Sequence, residues 1–257
     1  TALNGPPGGY IEKIQVDAAN KAYALVGSQD IYTSTNDGVS WAEAYSDLIN
    51  TVVQVLTVKD SNIFAGTGNG VFRSNNNGSS WIYTGLENFS VYTFVVSGTN
   101  LFAGTNNGVF LSTNQGISWT EVSNGLTNKY VQTLGIKNNN LFAGTACGGI
   151  FISTNNGASW NNVNNGLTDT YVFTLAFSDT NIFAGTYFSG VFRSTNNGQS
   201  WTAVNSGLTN TNIQALVAIG ANIFAATRGG ANSGVFLSTN NGQSWTAVNV
   251  GLNNRSI

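Results

Sequence analysis

Histidine is absent from this 257-residue chain, and cysteine occurs once, as Cys147. The first absence removes Ser-His-Asp and Cys-His catalysis together with His-ligated metal sites; the second removes thiolate metal sites and any intrachain disulfide. A single cysteine leaves the compartment open, because disulfides are optional for a domain with a sizeable core. Cys147 reads as a small, partly buried residue rather than a nucleophile, since nothing cationic is evident beside it. Proline occurs only twice, and with little helical periodicity no substantial helix is expected. Charged residues make up 8% of the chain, far below the usual quarter. The net charge is −2 and the nine basic residues are scattered, whereas a nucleic-acid footprint needs clustered Lys and Arg. No apolar stretch approaches a membrane span, so no membrane insertion is expected. No phosphate- or dinucleotide-binding fingerprint occurs in a strand–helix context, and no cofactor is expected. No export signal is visible, and the abrupt start at Thr1 reads as a processed or trimmed chain.

What the chain has is repetition. An octapeptide recurs six times, as STNDGVSW (34–41), SNNNGSSW (74–81), STNQGISW (112–119), STNNGASW (153–160) and STNNGQSW (194–201 and 238–245). Every copy ends in a tryptophan, and the chain has no other: Trp41, Trp81, Trp119, Trp160, Trp201 and Trp245. Their intervals are 40, 38, 41, 41 and 44 residues, a period that signals a repeat architecture. Asn, Ser, Thr and Gly supply the polar surface, and the 41% hydrophobic content suffices for a large core.

Residues 91–126 show one repeat. VYTFVVS, LFAGT and VFLS are apolar runs separated by Gly-Thr-Asn and Asn-Asn-Gly turns; the octapeptide turns the chain into ISWTEV, and Ser-Asn-Gly-Leu leads out. Four short strands with turn chemistry between them make an antiparallel meander. The second strand recurs as IFAGT, LFAGT or IFAAT, and Gly-Leu closes five of the six repeats. Four strands and a forty-residue period predict an all-β chain, a six-bladed β-propeller of four-stranded antiparallel blades. The repeats run end to end without a linker, so a single, monomeric domain is expected, with blades near 10–49, 50–88, 89–128, 129–169, 170–210 and 211–252. Residues 1–9 are lead-in. TALN (1–4) resembles TAVN at 202–205 and 246–249. It could form an extra outer strand, replace the last one, or remain from a removed repeat of a longer parent.

The octapeptide resembles the Asp-box, or BNR repeat, S-x-D-x-G-x-T/S-W, of sialidase-like propellers. The resemblance covers nearly the whole chain, with one uniform departure: the Asp position is Asn36, Asn76, Asn114, Asn155, Asn196 and Asn240. The box reads as a structural hairpin. Its Asn can bond its own backbone two residues on and tolerate a left-handed conformation. Its glycine (Gly38, Gly78, Gly116, Gly157, Gly198, Gly242) supplies a positive φ, and its Trp is expected to wedge between blades. Six nearly charge-free loops would hold a hard cation poorly, so no metal is expected.

The resemblance implies a test for sialidase chemistry, whose signature is an arginine triad with a Tyr–Glu pair and an acid Asp. Only Arg73, Arg193, Arg228 and Arg255 are present. Arg73 and Arg193 share one slot in the second and fifth repeats and are not expected to converge. A glycosidase of the usual kind needs two carboxylates roughly 5–10 Å apart. Here Asp17, Asp60 and Asp179 follow first strands, Asp37 is inside a box, Glu43 and Glu121 are on outer strands, and only Glu12 is on an innermost one. The 38–44 spacing leaves no room for cleft-building insertions. The expectation is therefore a chain that is not an enzyme, with a glycosidase as the alternative.

A ligand would meet the loops entering each first strand and the links between second and third strands. Tyr10, Tyr130 and Tyr171 stand just before first strands; Tyr92 and Phe173 are second within them; Tyr187, Phe188 and Arg228 lie in the links. These eight vary between repeats while the scaffold repeats, and they form the candidate ligand site. Aromatic faces beside Asn and Gln suit a glycan or another surface protein; equally, they could plug an axial hole. Arg228, flanked by glycines, could hold an anion or be merely solvated. The resemblance and the low-charge, Asn/Ser/Thr-rich composition imply a secreted or cell-surface protein. The alternatives are a glycosidase and a purely structural blade array of a larger surface protein.

Overall fold

The computed structural model describes residues 11–17, 19–27, 30–44, 48, 51–230 and 232–252. Tyr10, TALN and Arg255 lie outside the described residues. The first blade comprises β1 (Ile11–Val16), β2 (Ala22–Val26), β3 (Asp30–Ser34) and β4 (Ala42–Ala44). The second holds β5 (Val53–Lys59), β6 (Asn62–Thr67), β7 (Gly70–Ser74) and β8 (Ile82–Gly85), and the third β9 (Val91–Ser97), β10 (Asn100–Thr105), β11 (Gly108–Ser112) and β12 (Thr120–Glu121). Next come β13 (Val131–Lys137), β14 (Asn140–Thr145), β15 (Gly149–Ser153) and β16 (Asn161–Asn162), then β17 (Val172–Phe177), β18 (Ile182–Thr186), β19 (Val191–Ser194) and β20 (Thr202–Ala203). The sixth blade is β21 (Ile213–Ile219), β22 (Asn222–Thr227), β23 (Gly234–Ser238) and β24 (Thr246–Ala247). Each sheet is an antiparallel meander in chain order. The fold is a six-bladed β-propeller with four strands per blade and no helix among the described residues.

The chain divides into two compact units: residues up to 106 with Phe110–Glu121, and Asn107–Val109 with Val122 onward. In the first, Leu25, Ile31, Val53, Leu56, Ile63 and Trp81 form a core between blades one and two. Phe64, Val71, Val91, Leu101 and Ala103 form another between blades two and three. In the second, Phe142, Leu167, Val172, Leu175, Ile182 and Trp201 fill the space between blades four and five. Phe183, Val204, Ile213, Leu216, Phe236 and Trp245 do the same for five and six. The near-continuous apolar runs of β6 and β18 follow from this: each contributes to a core on both of its faces, where alternation would leave polar groups buried.

The octapeptide hairpin has one geometry in all six copies. Its first Ser donates from Oγ to the Asn Oδ1 at 2.8–2.9 Å and accepts the glycine N–H at 2.8–3.0 Å. The same Oδ1 accepts the N–H of the second Ser, at 2.9–3.0 Å, and the Asn Nδ2 donates to that Ser Oγ at 2.8–2.9 Å. The Asn thus reaches four residues on, not two. The left-handed residues are the one after it (Asp37, Asn77, Gln115, Asn156, Asn197, Asn241) and the glycine. An amide fills the position because it accepts on one side and donates on the other.

Fourth strands are shorter than ISWTEV suggests: β12, β16, β20 and β24 pair over two residues each. The residues around them bond to the next blade instead. The indole N–H of Trp160, Trp201 and Trp245 donates to the carbonyl of Val122, Val163 and Val204 of the preceding blade, at 2.7–2.8 Å. Their backbone N–H groups bond Asn124 O, Asn165 O and Ser206 O at 2.8 Å. Trp119 breaks the pattern. The second blade exits through Thr84-Gly85-Leu86, two residues shorter than Val122–Leu126, and the Trp119 indole N–H is buried without a partner. Arg73 and Arg193 reach from third strands to the next hairpin, donating to Gln115 O at 3.2 Å and Asn241 O at 3.0 Å.

Tyr23 carries a pH dependence. Burial, then the charge and hydrogen bond of Asp17, push its phenol up to about 12 from 10.0. A raised pKa means its stabilisation is complete below pH 10 and is lost as pH rises toward 12. Urea midpoints should fall across that window by on the order of 2 kcal/mol in free energy, and Tyr23→Phe should flatten that part of the profile.

Candidate functional site

In blades two to six, main-chain bonds bring the entry loop to the link of its own blade. The carbonyls of Tyr130, Tyr171 and Asn212 accept the N–H groups of Ala146, Tyr187 and Arg228 at 2.9–3.0 Å. Ser90 O and Asn106 N pair likewise at 3.0 Å. Entry loops and second-to-third links therefore share one end of each of these five blades, and the octapeptide hairpins occupy the other.

At that end every first strand carries a β-bulge. The register skips Glu12, Gln54, Tyr92, Gln132, Phe173 and Gln214. A bulged residue leaves the ladder and is re-aimed relative to its neighbours. A position that varies between repeats is thus the one released from sheet pairing. No residue pattern in a single strand announces this; it is visible only in the pairing register.

In the second unit the structure brings five of the eight candidates together. Tyr171 and Phe173 have ring centroids 5.1 Å apart, Tyr171 and Tyr187 5.4 Å, and Phe173 and Tyr187 5.5 Å. Phe188 packs edge-on against Tyr187 at 4.4 Å and remains 68% exposed. Tyr130 is exposed at the next entry loop. Burial, and then Tyr130, Cys147 and Tyr187 close by, raise the Tyr171 phenol above its ordinary value, so it remains a neutral hydrogen-bonding group at physiological pH. Cys147, expected to be partly buried, is exposed. It occupies a left-handed turn, φ 71°, that directs its side chain outward from the link.

Asp169 organises this cluster, and sequence reasoning passed over it. It is buried, and its Oδ1 accepts Tyr171 N at 3.0 Å while Oδ2 accepts Phe188 N at 2.8 Å and Ser189 N at 3.0 Å. The neighbouring repeats carry Asn128 and Asn210 in its place. Asn210 donates its amide to Gly229 O at 2.6 Å and Arg228 O at 3.3 Å. A carboxylate can only accept, so the fifth blade's link presents N–H groups where the sixth presents carbonyls. The signal was legible as the single Asp in the Thr-Asn/Asp slot of the exit segments.

The remaining candidates stand elsewhere. Tyr92 is half-buried at the bulge of β9, in the first unit. Arg228 is exposed at the start of the long link of blade six. Tyr10 lies outside the described residues. A shallow groove of about 300 Å³ on the second blade, lined by Thr51, Asn69, Phe72, Tyr83 and Glu87, went unpredicted; it accompanies the short exit of that blade. Among the described residues no three His, Cys, Asp or Glu side chains cluster as a metal site, and no helix is long and apolar enough to cross a membrane.

No family model and no curated protein sequence matches the chain. Solved structures match it well. An ancestral GH74 enzyme superposes with TM-score 0.78 at 22% identity, covering 96% of this chain and 39% of that one. The extracellular domain of the one-component system BT4673 of B. thetaiotaomicron gives 0.80 at 16% identity, covering 99% and 36%. YCF48 bound to D1 peptide gives 0.75 at 13%, covering 96% and 84%. The chain spans well under half the length of the first two. The likeness is one of fold, shared by enzymes and by other propellers.

Proposed function

We propose that this chain is a non-catalytic recognition propeller, secreted or displayed at a cell surface, that binds a glycan or another surface protein through the aromatic cluster of blades four and five. The carrying observation is that cluster: Tyr171, Phe173 and Tyr187 in mutual contact, with Phe188 exposed above them on a link pinned by Asp169. Ring faces stack on the apolar faces of sugars, and phenols and nearby amides meet hydroxyls; the same surface suits a protein hot spot. The extracellular origin of the BT4673 domain supports the location. The octapeptides are read as Asp-boxes in which Asn replaces Asp.

The GH74 neighbours favour a glycosidase as the second reading. Within the second unit the described carboxylates are Asp169 and Asp179. They stand at opposite ends of β17, about 20 Å of strand apart, and Asp169 has both oxygens committed to backbone N–H groups. Neither inverting nor retaining geometry is met by that pair.

A glycan array probed with the purified chain and with a Tyr130→Ala/Tyr171→Ala double variant tests the proposal. Binding to a defined glycan class, weakened at least tenfold in the variant, is the expected result. A folded sample that binds no glycan shifts the reading to a protein partner, and release of reducing ends from any array glycan overturns the non-catalytic one.

A further inference from the structure

We infer that Asn124 and Asn165 are sites of spontaneous deamidation, at which the folded chain converts an exit asparagine to aspartate or isoaspartate while its other Asn-Gly pairs stay intact. Eight such pairs lie within the described residues. Four are in octapeptide hairpins (Asn77, Asn156, Asn197 and Asn241), two in second-to-third links (Asn69 and Asn107) and two in exits. Glycine after asparagine leaves its own N–H unshielded by a side chain, and deamidation begins when that nitrogen loses its proton to solvent base. In six of the eight the fold withholds it. The hairpin glycines are buried and give their N–H to the first Ser Oγ of the motif at 2.8–2.9 Å. Gly70 and Gly108 are buried as well, their N–H groups held by Phe89 O at 2.9 Å and Lys129 O at 2.7 Å.

The exits are open. Ser123 O accepts Leu126 N at 3.0 Å and Asn164 O accepts Leu167 N at 2.9 Å. Each Asn-Gly peptide is thus the centre of a β-turn, and the glycine N–H is not the one that closes it. Asn124, Gly125, Asn165 and Gly166 are all exposed. Neither glycine N–H and neither Asn side-chain amide has a hydrogen-bond partner among the described residues. The carbonyl of the same peptide accepts Trp160 N or Trp201 N at 2.8 Å, which draws electron density from the peptide and makes the glycine N–H more acidic. The deprotonated nitrogen attacks the Asn Cγ. The Cγ–Nδ2 bond breaks, and Nδ2 leaves as ammonia after taking a proton from water. Water then opens the succinimide at Cγ, giving aspartate, or at the main-chain carbonyl carbon, giving isoaspartate. One water is consumed and one ammonia released, with no oxidant or cofactor. Each event adds a negative charge. Isoaspartate also reroutes the main chain through Cβ, so the carbonyl that holds the next blade's Trp becomes a free carboxylate. These are the exits that lead into Tyr130 and Tyr171; the other Gly-Leu exits carry Thr84, Ser206 or Val250 before the glycine and lack this chemistry.

Peptide mapping by mass spectrometry tests this over a time course at mildly alkaline pH, once with the chain folded and once in guanidinium chloride. Pepsin digestion at acid pH stops the reaction before mapping, and isoaspartyl methyltransferase labelling counts the isoaspartate. In the folded chain Asn124 and Asn165 should gain one dalton roughly tenfold or more faster than any hairpin or link asparagine, because those react only through local opening. Ring closure swings the exit carbonyl away from its Trp, so both exits should still react more slowly folded than unfolded. In denaturant their advantage over the other six should vanish. Asn165 and Asn156 make the most direct comparison, since both sit in an Asn-Asn-Gly triplet and differ in the fold around them. A hairpin or link asparagine that keeps pace with the exits in the folded chain overturns the inference. So do exits that stay intact while folded, or an exit advantage that persists in denaturant.

Discussion

Replacing Trp201 by alanine is expected to lower the unfolding free energy of the second unit by about 3–5 kcal/mol, the usual cost of deleting a large buried aromatic. The indole fills the space between blades four and five beside Phe142, Leu175 and Phe192 and satisfies Val163 O at 2.8 Å. Alanine removes both the packing and the hydrogen bond. Trp201→Phe separates them: much of the packing survives, and the loss should shrink to about 1–2 kcal/mol, mostly from the orphaned carbonyl. Trp119→Phe is the control. Its N–H is already buried without an acceptor, so the same exchange there should be close to neutral. Urea denaturation of the four proteins, followed by circular dichroism, gives the comparison. Equal costs for Trp201→Phe and Trp119→Phe would show that the interblade hydrogen bond contributes nothing measurable.

The second large effect is expected at Gly207. Its backbone is left-handed, φ 90°, and a Cβ would lie on the carbonyl oxygen of Trp245. Gly207→Ala therefore adds an interblade clash to the conformational cost, and a loss of at least about 3 kcal/mol is expected. Gly251→Ala supplies the reference at an almost identical φ of 84° with nothing near the new methyl. It should cost only about 1–2 kcal/mol. The difference between the two isolates the closeness of blade packing from backbone strain. If both variants lose the same amount, the Gly-Leu exits are explained by the turn alone.

Much of the architecture was legible before the structure because it is written in local, repeated chemistry. Six Ser-x-Asn-x-Gly-x-Ser-Trp hairpins, five Gly-Leu exits and five near-identical second strands specify four strands per blade and six blades; each instruction acts within a few residues, and its repetition suppresses ambiguity. The sequence by itself also determined the absence of histidine and of disulfide chemistry. What it could not contain was anything set by register or by contact with another blade. The bulges that release Gln132 and Phe173 exist only in how two strands pair. The role of the exit glycines depends on a carbonyl of the following repeat, some forty residues away. The pinning of Phe188 by Asp169 arises because an entry loop and a link nineteen residues apart fold onto one end of a blade.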